Sequence, residues 1–237
     1  MRVPNHKLSS ETLLDVYASY LGARLKADPI TGAVHSVFLK AKTALDAANT
    51  RQRQALSDLQ ELQSARDYAD FVLDELLGEF EAAVFTAAKR DRKNPLYLRI
   101  FPKALSVQTR TSPTKQIERV KTIEKDLAEA TTPSVLKTWL AKMVDLRAKL
   151  EKAIDVWSEA RIAHSTAQFA EKEERTRWLR AYQVIHAELV KLFPGNRKKV
   201  DSFFRPAPKT TRREESPPAD ETRLIEPPKA REDESAA

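Results

Sequence analysis

A chain of 237 residues, 41% apolar and 32% charged with a net charge of +7, carries enough hydrophobic material for a packed core beneath a basic surface. The absence of cysteine excludes disulfides, thiolate metal sites and cysteine nucleophiles, while only 4 glycines exclude a glycine-rich phosphate loop and favour long helices over sheets. No apolar run approaches the roughly 18 residues of a membrane span, and the amino terminus lacks a signal-like apolar core, so a soluble cytoplasmic all-α protein is expected.

Residues 1–8 read as a flexible amino terminus. "SSETLL" then offers Ser9 or Ser10 as N-cap with an acid in the first turn, starting a helix over about 9–27 that stops before Asp28-Pro29. Pro29 suits the first position of a second helix, about 29–92. From Val34 its apolar residues recur in steps of four and three through Phe38, Leu45, Leu59, Leu73 and Phe80, and only Gln52 and Arg66 interrupt the series. That is a heptad seam. Lys93-Asn94-Pro95 closes the helix, and residues 95–110 are expected to form an irregular strap.

A shorter helix over about 113–130 follows, with Ile117, Val120, Ile123 and Leu127 on one side. Thr132-Pro133 restarts the chain as a second long helix, about 133–193. Its seam runs through Leu136, Trp139, Met143, Leu150, Trp157, His164, Glu171, Glu174, Trp178 and Ile185. Phe193-Pro194-Gly195 ends it, and residues 194–204 form a second strap. From 205 to 237 the chain is rich in proline and charge, which predicts a disordered tail. Leu224 and Ile225 within it suggest a short docking segment.

Leu98-Arg99-Ile100-Phe101-Pro102 resembles Val190-Lys191-Leu192-Phe193-Pro194 in kind. Each half, 9–110 and 111–204, then reads as short helix, long heptad helix and Phe-Pro strap. The expected fold is an elongated bundle, an antiparallel coiled coil of two similar halves. One register sets Arg66 beside Glu171 and Glu174, making a polar pair that fixes alignment. It leaves 29–47 and 133–150 outside the overlap of the long helices. A break near Asn49-Thr50 or His164-Ser165-Thr166 would instead give a compact bundle of four to six helices.

For chemistry the sequence offers little. The Glu-x-x-His motif of di-metal bundles is absent around His35, His164 and His186, and no nucleophile stands at a recognisable spacing from a base. No enzyme activity, metal or cofactor is expected, and Trp139, Trp157 and Trp178 read as core. The basic clusters carry more. Lys89, Arg90, Arg92, Lys93, Arg99 and Lys103 surround the first Phe-Pro segment, and Lys191, Arg197, Lys198, Lys199 and Arg205 the second. Cations at a helix C-terminus are favourable through the macrodipole alone. The same clusters would also serve sequence-independent binding of nucleic-acid backbone or another polyanion. The leading expectation is a noncatalytic scaffold or adaptor that binds a protein partner, with self-association through exposed heptads.

Overall fold

The computed structural model describes residues 3–103 and 112–205. The chain divides into a body, Met1–Arg205, and a C-terminal unit, Pro206–Ala237. The expected tail, with Leu224 and Ile225, lies outside the described residues beyond Arg205, as does the 104–110 part of the first strap. The body is an all-α bundle, and no strand occurs among the described residues.

Ser9 caps α1 (Ser10–Thr12) by accepting from the Thr12 amide at 3.1 Å. The helix continues through a π-helical segment, Leu13–Ala18, into α2, Ser19–Ala27. Asp28 caps a 3-10 turn, Pro29–Thr31, and α3 then runs over Gly32–Ala87. After α3 come α4 (Pro95–Ile100), α5 (Pro113–Ala128), α6 (Ser134–Lys137), α7 (Leu140–Leu192) and α8 (Arg197–Ser202). Neither long helix breaks at the two sites considered from the sequence. At about 1.5 Å per residue, the 56 residues of α3 and 53 of α7 each extend for about 80 Å.

α3 and α7 pair antiparallel: Gln52 meets His164, Arg66 meets Trp157 and Phe80 meets Trp139. This register corrects the expected one. Arg66 lies 4.3 Å from the Trp157 ring and bonds Asp67, whereas Glu171 faces Ser10 and Arg175, and Glu174 pairs with Arg177. The long helices overlap along nearly their whole length, so 29–47 and 133–150 are not overhangs. Pairing Phe80 with Trp139 and Trp178 with the first turns of α3 buries the large side chains, which a polar match at the centre could not offset.

The body has two cores, one at each end of the pair. The first joins Leu73, Leu77, Phe80 and Val84 of α3 to Met143 and Leu150 of α7, under Tyr97, Ile100 and Phe101 near α4 and Val120, Ile123 and Leu127 of α5. The second joins Phe38 and Leu45 to Trp178, Tyr182, Ile185 and Leu189, under Leu13, Leu21, Leu25, Val200, Phe203 and Phe204. Between Ala48 and Leu73, and between Leu150 and Trp178, no residue is fully buried. A two-helix stretch of about 37 Å thus links the cores.

The halves are related, but not by the spacing of the Phe-Pro segments. Every buried residue of α7 has a buried counterpart on α3 exactly one constant interval earlier: Phe38 and Met143, Leu45 and Leu150, Leu73 and Trp178, Leu77 and Tyr182, Phe80 and Ile185, Val84 and Leu189. That interval is 105 positions. Thr31 and Thr132, both buried, each donate to a carbonyl six residues back at 2.6 Å, from Leu25 and Asp126 respectively. Asn94 caps six-residue α4 ahead of Phe101, and Asn196 caps six-residue α8 ahead of Phe203. The straps are therefore partly helical, and the counterpart of Phe101 is Phe203. Phe193 instead ends α7, so the likeness of Leu98–Pro102 to Val190–Pro194, 92 positions on, is a coincidence of two different helix ends.

The π-helical segment marks a difference between the halves. Buried Leu13 and Leu14 are three further residues from buried Ala18, whereas Gln116 and Ile117 have only two before Val120. One extra residue in the first half is absorbed by widening the helix locally, as π-bulges do. Gly22 then allows close packing on α3: a Cβ there would come within 2.9 Å of Phe38 Cε1.

Asp70, near the middle of the pair, carries a buried carboxylate oxygen without a hydrogen-bond partner. Burial, then the neighbouring Asp67, push its carboxyl above the usual value against the pull of Arg66. A folded-state value above the unfolded one means that ionisation opposes folding as pH rises through this window. Asp70→Asn is expected to stabilise the body at neutral pH by about 1 kcal/mol, the lower end for an unsatisfied polar group because the side chain is half-exposed. The gain vanishes below the ordinary aspartate value, and urea melts at both pH values measure it.

Candidate interaction surfaces

The sequence-derived basic clusters separate once their partners are seen. Arg99 is a structural pin, donating to Glu129 at 3.1 Å, Thr131 at 2.9 Å and Thr132 at 2.7 Å. Arg92 reaches Glu81 at 3.7 Å and lies 5.6 Å from the Phe85 ring. Lys103 is exposed. Lys89, Arg90 and Lys93 are exposed and form no ion pair among the described residues.

At the other end, Lys191 bonds Glu188 at 2.7 Å and Arg197 approaches Asp201 at 3.9 Å. Lys199 reaches Asp28 at 2.9 Å and sits 4.0 Å from the Phe193 ring. Its hydrogen bond, followed by the Ile30 amide, holds the Asp28 carboxyl below its ordinary value. Of that cluster, Lys198 and Arg205 stay exposed and form no ion pair among the described residues. The two clusters are thus unequal.

How α3 ends explains the first. Arg90 N–H donates to Phe85 O at 2.8 Å and Lys89 N–H to Thr86 O at 3.0 Å, a Schellman arrangement that stops the helix at Ala87 rather than near residue 92. It puts Lys89 and Arg90 at φ 57° and 62°, a region where glycine is preferred. After α7 the corresponding positive φ, 74°, falls on Gly195.

His164 lies 3.5 Å from Gln52 and not beside Glu171. Among the described residues no three His, Asp or Glu side chains come together as metal ligands. An open groove of about 620 Å³ between the long helices is lined by Ala44, Ala47, Ala48, Ala163, Ala167 and Ala170, with Arg51 and Glu174 at its rim.

Beside this groove α7 exposes Ile162 (67%) and Phe169 (65%), one heptad apart. Their counterparts in the first half, at the 105-residue interval, are Ser57 and Ser64. The protein-family models, curated proteins and solved structures compared with this chain yielded no match.

The apolar pair was not singled out in the sequence because it lies off the seam. Its signal is the spacing of Ile162 and Phe169 on the outer side of the heptad, visible once the halves are aligned. No helix among the described residues is long and apolar enough to cross a membrane.

Proposed function

We propose that this protein is a noncatalytic helical spacer and adaptor that holds two end modules apart and takes a protein partner on the outer face of α7. The contrast of Ile162 and Phe169 with Ser57 and Ser64 carries the reading. Serine shows what this fold places at a solvated outer position, so two large apolar side chains at the matching sites mark a surface with a partner. The adjoining alanines leave room for a second helix to approach closely, and that helix belongs either to another protein or to a second copy.

Because neither side chain supports a core, their loss should not disturb the fold. Ile162→Ser with Phe169→Ser is expected to keep the melting temperature within a few degrees, as surface substitutions do. The same double variant should lose self-association in sedimentation equilibrium, or lose a protein that the native chain captures from its own cell extract. Unchanged mass and unchanged capture in the variant would remove this reading.

A further inference from the structure

The internal repeat also isolates the loop after α3. From Ala88 to Asn94 it has five intervening residues, Lys-Arg-Asp-Arg-Lys, whereas its counterpart from Phe193 to Asn196 has two, Pro-Gly. The shorter loop still delivers a capped six-residue helix and a buried phenylalanine to its core. Closing the fold therefore requires neither the three additional residues nor their charge. The longer loop also keeps Lys89 and Arg90 at positive φ, where Gly195 shows the less strained solution. Among the described residues Lys89, Arg90 and Lys93 form no ion pair, and the loop's one acid, Asp91, accepts from the Lys93 amide at 2.8 Å.

We propose that residues 89–93 dock onto the phosphodiester backbone of nucleic acid. The guanidinium of Arg90 suits bidentate contact with a phosphate, and Lys89, Lys93 and Arg92 supply neighbouring charges. The loop contains no apolar side chain to enter a lipid headgroup layer, which disfavours an anionic membrane as the source of phosphate. All backbone amides of its first turn are already bonded, so side chains make the contacts. Such binding is independent of base sequence.

Fluorescence anisotropy with a duplex of ~24 base pairs, titrated with the full chain at ~50 to ~300 mM KCl, tests this. The logarithm of affinity should fall against that of salt with a slope of about −3 to −4, as four neutralised phosphates require. Combining Lys89→Glu, Arg90→Glu and Lys93→Glu should weaken binding by at least ~10-fold at low salt. Replacing residues 89–93 with Pro-Gly should do the same while the circular dichroism melt persists, which separates loss of contact from loss of fold. Lys198→Glu with Arg205→Glu should leave affinity within about two-fold. No duplex binding by the native chain at ~50 mM, or binding indifferent to both loop variants, would overturn the proposal. So would a larger loss from the Lys198 and Arg205 changes, or tighter loop-dependent binding to phosphatidylserine vesicles than to the duplex.

Discussion

Trp178→Ala is expected to open one end of the body while leaving the other closed. Trp178 is 2% exposed, packs against Tyr182 at a ring separation of 5.2 Å and belongs to the core that holds Leu21, Leu25 and Phe204. Truncating a buried tryptophan costs about 3–5 kcal/mol. That cost should stay local, since the 37 Å stretch between the cores has no fully buried residue to transmit a packing defect. Hydrogen exchange should show protection near Leu21 and Ile185 falling by roughly 100-fold or more, against less than about ten-fold near Val120 and Ile123. Equal losses at both ends would mean that the two cores unfold as one.

Deleting Tyr17 should be tolerated where deleting Glu118 is not. Removing Tyr17 from the π-helical segment leaves Leu13, Leu14 and Ala18 with the spacing that Gln116, Ile117 and Val120 already use in an ordinary α-helix. The core-facing positions keep their direction, so melting should shift by only a few degrees. In α5 no such surplus exists. Loss of one residue there rotates one side of the helix by about 100° relative to the other, turning Val120, Ile123 and Leu127 out of the core if Gln116 and Ile117 keep their places. At about 1.5–3 kcal/mol for each side chain, the variant should lose at least about 5 kcal/mol. Thermal melts followed by circular dichroism compare the two, and similar losses would refute the insertion.

The helical class, the long seams and most helix starts were legible because period and cap chemistry are local signals. Ser9 and Asp28 stand where their side-chain caps act, whereas Asn94 caps α4 where an irregular strap is expected. The register between α3 and α7 was not legible. Arg66, Glu171 and Glu174 suggested it by charge, whereas bulk decided it through Phe80, Trp139 and Trp178. Nor could the α3 end be placed, since neither Lys89 nor Arg90 announces a left-handed turn as glycine would. The likeness of the halves is legible in their organisation, but the Phe-Pro segments are not its matching parts, because insertions of one to four residues shift the interval between matching positions along the chain.

The route of the chain through its two cores has a consequence for biosynthesis. α2 enters the same core as residues 178–204, so an early helix of the body shares its apolar side with a part made more than 150 residues later. As translation proceeds, Leu13, Leu21 and Leu25 must wait for Tyr182 and Phe204 to emerge before their native environment is complete. During that interval the nascent polypeptide presents a greasy ridge, a natural target for chaperones that engage growing chains.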